Sequence, residues 1–424
     1  MSSNLALLGG KPVRSQPFPP HPIIGEQEKR AVMEVLDSGK LSTFLAIPGE
    51  YFNGGKRIKE FEKAFCDYHG VRYAVAFNSA TAALHAAVVA CGVEPCQEVI
   101  VTPYTFTSTA TCALMHNAIP VFADVEDTYF GLDANAVEAA VSPLTRAIIP
   151  VHLFGHPAKM DELLAVARRH NLRVIEDCAQ APGAKYKDRY VGTIGDCGIF
   201  SFTENKNITT GEGGMLITND EAIAESARLV RNHGEAVVSG QTARTYNSTV
   251  LGWNYRMTEM DAAIGVVQFG RMDDLNGGRI DCANYLSSKL KGIPGLTVPM
   301  VAEGARHVYY FYALKYDEQR MGLPRSTFIK ALNAEGIPFG AGYVRPLYLS
   351  SIYHENRPFA YEHYKGNAKY DKGLCPVTER LHERELILTP VTRPPATRKD
   401  MDDVVAAIHK VLENRGRLIE AGPR

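Results

Sequence analysis

Residues Phe200–Thr218 read FSFTENKNITTGEGGMLIT: two apolar β-type runs with a polar turn between them, and one lysine, Lys206, in the turn. By default a lysine is a solvated surface residue. A lysine held in a tight turn beyond a buried strand behaves differently, because a desolvated amine can lose its proton near neutral pH and attack a carbonyl. Which of the two Lys206 is depends on what surrounds this stretch.

Upstream, strand-like and helix-like segments alternate. RYAVAFN (72–78) is β-like and ATAALHAAVVAC (80–91) is a strong helix former. EVIVTP (98–103), IPVFADV (119–125) and TRAIIPVHLF (145–154) follow, then the helical KMDELLAVARRHN (159–171), then RVIEDCAQ (173–180) and CGIFSF (197–202). Apolar β-branched runs separated by helices predict an α/β fold whose sheet is mostly parallel and covered on both faces. Such sheets bind ligands at the carboxyl ends of their strands.

Downstream, the pattern predicts a helix over Glu221–Arg231, a Gly-, Thr- and Ser-rich passage to about Gly252, and a long helical stretch from Thr258 to Leu290. Beyond Pro294 a smaller α/β unit begins. Its last helix, RKDMDDVVAAIHKVLEN, puts Met401, Val404, Val405, Ile408, Val411 and Leu412 on one face. The expected division is an N-terminal arm over 1–38, a large domain over 39–292 and a small C-terminal domain over 293–424.

With 424 residues the chain can bury a large core, and at 45% hydrophobic and 22% charged it has the composition of a soluble globular protein. Lys and Arg total 46 against 47 Asp and Glu, so bulk charge points to neither nucleic acid nor an anionic membrane. No apolar run reaches membrane-spanning length, and the N-terminus lacks the basic start of a signal peptide. The eight cysteines are scattered without a CxxC pair. They read as free, mostly buried thiols of a cytoplasmic protein, with no zinc site expected.

Four features fall at strand ends. In FNSATAAL, Asn78, Ser79, Ala80 and Thr81 lie where a strand becomes a helix, so free N–H groups and hydroxyls could cradle a phosphate; an ordinary Ser N-cap reads the same way. Tyr104 and Phe106 in VTPYTFTSTA could pack in the core or cover a planar ring. In IEDCAQAPGA, Glu176 and Asp177 could cap a turn or pair with a cationic ring nitrogen. Lys206 follows, with Ser201 five residues earlier also in reach of a phosphate, whereas Lys185 and Lys187 sit in the polar turn KYKDRY and read as surface. Together these meet the needs of pyridoxal phosphate: an anchored phosphate, a stacked ring, a charge-paired nitrogen and a lysine for the aldehyde. There is no GxGxxG for a dinucleotide and no P-loop.

The segments VIEDCAQAPGAKY, GTIGDCGIFSFTENKNITTGEGGMLIT, RNHG and GWNYRMTEMDAAIGVVQ carry a resemblance to the DegT/StrS family of pyridoxal-phosphate sugar aminotransferases, which have the aspartate-aminotransferase (type I) fold. The likeness runs from LALLGGKPVR to the last helix. It implies that Lys206 bonds the cofactor, Asp177 pairs with the pyridine nitrogen, Gln180 meets the ring 3-oxygen, Phe106 stacks, and Ser79, Ala80, Thr81 and Ser201 hold the phosphate. It further implies that Asn254 and Arg256 reach the neighbouring subunit's site in a homodimer, with Arg256 and Tyr343 facing substrate. Two departures stand out: Ala80 where many members carry Gly, and GYVRPLY (342–348) where many nucleotide-sugar members carry His-Tyr-x-Pro.

The resemblance implies an amino donor, glutamate or glutamine, and an acceptor that is a keto sugar or ketocyclitol, in amino-sugar, cell-surface glycan or aminoglycoside-type biosynthesis. The rival readings are a nucleotide-linked keto-sugar aminotransferase, a pyridoxamine-phosphate-dependent deoxygenating relative and a non-catalytic regulatory relative. The deoxygenating relatives replace the lysine with His, which Lys206 argues against.

Overall fold

The structure, a computed structural model, describes residues 4–44, 49–236 and 247–421. Residues 237–246 of the Gly-, Thr- and Ser-rich passage therefore lie outside the described residues. Five strands, β1 (Tyr73–Phe77), β2 (Glu98–Val101), β3 (Ile119–Phe122), β4 (Thr145–Ile149) and β5 (Arg173–Asp177), precede a short hairpin of β6 (Lys185–Tyr186) and β7 (Arg189–Tyr190). Then come β8 (Cys197–Ser201) and β9 (Gly214–Thr218). A seven-stranded sheet has the order β1-β9-β8-β5-β4-β2-β3. Its strands are parallel except for β9, which runs antiparallel to both neighbours. The expected mostly parallel α/β sheet is present.

Both faces of that sheet are apolar, as the β-branched runs require. Val75 and Phe77 of β1 join one core with Leu216 of β9, while Ala74 and Ala76 join another with Met215 and Ile217. The strand period of two thus feeds two separate cores. Among the described residues nine α-helices follow one another up to the end of the first unit: α1 (Glu26–Ser38), α2 (Lys56–His69), α3 (Ala80–Ala90), α4 (Ser108–Met115), α5 (Ala134–Ala140), α6 (Met160–His170), α7 (Glu221–Arg231), α8 (Glu259–Gly270) and α9 (Met272–Leu290).

One expectation needs correction. The stretch Thr258–Leu290 is not a single helix but α8 and α9, separated at Arg271 (φ −107°, ψ 3°). Arg271 sends its guanidinium to the Ile23 carbonyl (3.1 Å) and to the Glu28 carboxylate, tying the break to the N-terminal arm. Gly270 before it has no side chain to resist the bend.

A second sheet, β10 (Leu296–Thr297), β11 (Tyr312–Tyr316), β13 (Leu386–Thr389) and β12 (Gly340–Ala341) in that order, is antiparallel throughout. It packs with α9 and with the helices Arg325–Ala334 and Arg398–Glu413. On Arg398–Glu413, Met401, Val404, Ile408 and Val411 are buried, with Val405 and Leu412 at the margin; it is not the last helix as expected, since a short one, Arg415–Glu420, follows it. Between β12 and β13 the chain returns to the first unit: Leu347, Tyr348, Tyr353, Tyr370 and Cys375 pack into the core beneath α3 and α4. No helix among the described residues is long and apolar enough to cross a membrane.

Candidate active site

The carboxyl ends of β1, β2, β5 and β8 open into one cleft of about 450 Å³. The reversed strand β9 begins at the same edge. A Cβ on Gly214, its first residue, would lie 2.5 Å from the Ser79 carbonyl carbon and 2.6 Å from the Ala80 nitrogen. Only glycine lets that strand pass so close under the start of α3.

At that start Ser79 is the N-cap, with its Oγ accepting from Ala82 N–H at 3.1 Å. The ordinary cap is therefore real. It leaves the Ala80 and Thr81 amides, which have no acceptor within the helix, turned toward the cleft that both residues line. Ser201 ends β8 across the cleft, its hydroxyl 3.4 Å from Thr203 Oγ1, which in turn donates to Glu212 Oε2 at 3.1 Å.

Asp177 ends β5 and is 3% exposed. Thr109 Oγ1 donates to its Oδ2 (2.8 Å) and Ala179 N–H to its Oδ1 (3.0 Å), so the carboxylate is fixed from two sides. Gln180 is oriented just as firmly. Its Oε1 accepts from Phe154 N–H at 2.8 Å, and its Nε2 donates to the Tyr343 hydroxyl at 3.0 Å. The two aromatics of the β2 loop part company. Tyr104 is fully buried and accepts the Tyr343 N–H (2.9 Å), whereas Phe106 is 59% exposed in the cleft.

Lys206 closes the set. Its N–H donates to the Thr203 carbonyl (2.9 Å), and its Nζ lies 4.6 Å from the centre of the Tyr310 ring. Burial pulls the amine from 10.5 down to about 8; Asp177 opposes the fall and Arg393 adds to it. At pH 7 roughly a tenth of an amine with that pKa is an unprotonated nucleophile, whereas Lys187, in the β6–β7 hairpin, is pushed up by its hydrogen bond to Asp161.

Ser79, Ala80, Thr81, Phe106, Asp177, Gln180, Ser201, Lys206 and Tyr343 come together in this cleft. Asn254 and Arg256 do not line it. Asn254 is exposed; its carbonyl accepts from Asn78 Nδ2 (3.4 Å), and Arg256 Nη1 donates to Asn232 Oδ1 (2.9 Å). Sequence reasoning passed over Tyr310 and Phe311, the cleft wall contributed by the segment before β11, and Thr203 and Glu212 beside the phosphate end. It also missed His21, whose Nε2 lies 3.1 Å from the Lys206 carbonyl. The run HVYYFYAL (307–314) was the one local signal for the aromatic wall.

All eight cysteines are free, six of them buried. His152, Glu176 and Cys178 bring ligand-type atoms within 4.8 Å of one another. Both Glu176 oxygens are already taken, by Gly192, Ile194 and Gly195 N–H groups and by His152 Nε2 at 3.0 Å.

The comparisons agree with this geometry. GDP-perosamine synthase from Caulobacter vibrioides is 42% identical over 317 residues, 74% of this chain and 81% of that protein. L-glutamine:2-deoxy-scyllo-inosose aminotransferase from Streptoalloteichus tenebrarius is 35% identical over 99% of this chain and 100% of its own. The solved structure of DesV from S. venezuelae in complex with a ketimine intermediate superposes with a TM-score of 0.78 at 31% identity, covering 91% of this chain and 94% of that one. The cofactor is pyridoxal 5′-phosphate. The model of the DegT/DnrJ/EryC1/StrS aminotransferase family matches residues 22–409, and the chain belongs to that family as an aminotransferase.

Proposed function

We propose that the protein transfers an amino group from L-glutamate or L-glutamine to a keto sugar or ketocyclitol by ping-pong turnover. The observation that carries this reading is the union, in one cleft, of a lysine brought to about 8 with a two-point-fixed buried carboxylate. The residues fit pyridoxal phosphate. The tight approach of Gly214 to Ser79 and Ala80 leaves a bare backbone cradle, Phe106 offers an exposed aromatic face, and Asp177 is a buried acid at the strand end. When bound, the cofactor supplies an aldehyde for amines and a ring that takes up the electron pair left at the donor's α-carbon.

The chain's own groups do the rest. Lys206 Nζ, being readily deprotonated, accepts the proton from the donor α-carbon and returns it on the far side of the exchange. Asp177 keeps a negative charge where a cationic ring nitrogen needs one, and Thr109 and Ala179 hold it in place without competing for its remaining lone pairs. Gln180, braced by Phe154, sets the position of the Tyr343 hydroxyl at the acceptor side.

The names of the relatives support a sugar or cyclitol acceptor, and GYVRPLY in place of His-Tyr-x-Pro favours a ring ketone not linked to a nucleotide. Loading the enzyme with glutamate or glutamine and screening keto sugars and ketocyclitols for amine product tests the reading. A cofactor-bearing enzyme that aminates only keto acids would end it. We further propose a homodimer with shared sites, because Asn254 and Arg256 lie outside their own cleft. Mixing inactive Lys206→Ala protein with inactive Asn254→Ala/Arg256→Ala protein should restore part of the activity. Efficient subunit exchange without recovery would rule sharing out.

A further inference from the structure

The turn that carries Lys206 is anchored at almost every polar group by its own neighbourhood. The Lys206 N–H donates to the Thr203 carbonyl at 2.9 Å, and Thr209 Oγ1 and Thr210 N–H both donate to the Phe202 carbonyl at 2.9 Å. Asn207 Nδ2 donates to Asn276 Oδ1 (2.8 Å) and to the Val308 carbonyl (3.2 Å). The Lys206 carbonyl is different. Among the described residues no backbone N–H reaches it, and its partner is His21 Nε2 at 3.1 Å, from 185 residues away in sequence.

A carbonyl only accepts, so His21 carries its ring proton on Nε2. Its Nδ1 is buried with no partner, which leaves the Lys206 carbonyl as the bond that orients the ring. Arg279, on α9, and Arg393, in the loop after β13, face this ring; burial first, and then their charges, bring it down to about 4, so His21 is neutral at ordinary pH. The arm that presents it has fixings of its own. Two residues on, the Ile23 carbonyl accepts from Gln268 Nε2 (3.0 Å) and Arg271 Nη2 (3.1 Å). Earlier in the arm Arg14 pairs with Asp400 (2.9 Å) and Asp403 (2.7 Å). His21 is therefore not needed to dock the arm, and the arm is a rigid base from which His21 can hold something else.

We propose that His21 is a positioning residue for Lys206: its Nε2–H, given to the Lys206 carbonyl, fixes the backbone from which the amine swings. It is not itself catalytic, since it does not line the cleft and touches the lysine only at its main chain. The inference rests on Lys206 being the reacting lysine and is independent of the acceptor. That amine sits on a flexible four-carbon stem and has to leave the cofactor, carry a proton and come back to the same place. Its backbone is the one fixed point of that motion, and a small displacement there misplaces the amine at the reacting carbon.

The test sets His21→Gln, which keeps an N–H where Nε2 stands, against His21→Leu, which keeps bulk and loses the donor. With cofactor-loaded enzyme and L-glutamate or L-glutamine, the donor half-reaction is followed by cofactor absorbance. At saturating donor His21→Gln should stay within about threefold of wild type and His21→Leu should slow about tenfold or more, with half-saturation moved less than about twofold. The second readout needs no cofactor. In apoprotein the pH midpoint for labelling Lys206 should stay near 8 in wild type and His21→Gln, and rise toward 10.5 in His21→Leu. A loosened turn lets water reach Nζ, while Asp177 and Arg393, the charges that act on it, are the same in all three proteins. The opposite order, with His21→Leu normal and His21→Gln impaired, shows a packing role and overturns the proposal, as do rates and midpoints that are equal throughout. Should His21→Leu fail to fold, His21→Asn, whose amide is one bond shorter, takes its place. If even wild type gives no half-reaction, the aminotransferase reading of Lys206 falls, and the labelling midpoints still decide whether His21 holds the turn.

Discussion

Two buried charged clusters adjoin the cleft, and they are built on opposite terms. Around Glu176 every strong acceptor is used: three backbone N–H groups and His152 Nε2 converge on its two oxygens, and His152 Nδ1 accepts from Ala158 N–H at 3.0 Å. That last bond fixes the tautomer, with the ring proton on Nε2. At Arg279 all three guanidinium nitrogens, and at Arg393 the Nε, have no acceptor. A saturated cluster has no capacity left for a ligand and serves as scaffold, holding the β4 and β5 ends, and with them Asp177, in register. An unsaturated one is energetically incomplete. Hydrogen-bond satisfaction therefore separates the two clusters more cleanly than charge or burial does.

Lys206, between the two, gives the largest effect: Lys206→Ala should abolish transamination in a steady-state assay, and borohydride-reduced wild type should carry the cofactor on Lys206 in a peptide digest. Next, His152→Ala removes one partner of a fully buried pair and should cost about 3–5 kcal/mol in denaturant unfolding of the apoprotein. A loss under about 1 kcal/mol would show that the Glu176 cluster is not the scaffold. Arg279→Met should sharpen the contrast with a much smaller stability change, about 1 kcal/mol or less, or a gain, because it removes an unpaired charge.

The finest effect is a titration. Because Lys206 is lowered to about 8, half its apoprotein population should react with an amine reagent near pH 8, as read by peptide mapping, where an ordinary lysine needs 10.5. The unfolded chain then binds more protons between pH 8 and 10.5, so this group's penalty to stability is full below 8 and disappears as pH rises through that window. Arg393→Gln should shift the labelling midpoint upward, since the Arg393 charge contributes to the depression. A midpoint left in place would separate the arginine pair from the lysine.

The cradle was readable in the sequence because each part sits within a few residues of a strand end that announces itself: Ser79 after AVAF, Asp177 after RVIE, Ser201 and Lys206 around SFT. The arginines were not. Arg279 looks like any helix cation, Arg393 like any loop cation, and what distinguishes them is a missing partner, which only three-dimensional packing reveals. Tyr310 and His21 come to Lys206 from distant chain segments for the same reason. The Arg271 break was hidden because α8 and α9 share continuous helix-forming composition; the arm contact that bends the chain there comes from Ile23 and Glu28.

The N-terminal arm carries a consequence for how the enzyme is made. The Lys11 carbonyl is held by Lys410 Nζ at 2.7 Å, 399 residues later, while Ala6 and Val13 N–H groups donate to Glu335. At about 5–20 residues per second a ribosome needs roughly 20–80 s to travel from the first of these positions to the last. Until Glu335 and Lys410 are made, residues 4–14 lack these anchors, and Leu5, fully buried in the finished protein, lacks most of its core. The first residues synthesised must settle among the last, whereas the later part of the arm, with His21, is anchored through Ile23 and Glu28 once Gln268 and Arg271 are in place. Nascent chains stalled before residue 335 should accordingly keep residues 4–14 open to protease, whatever the state of the seven-stranded sheet behind them.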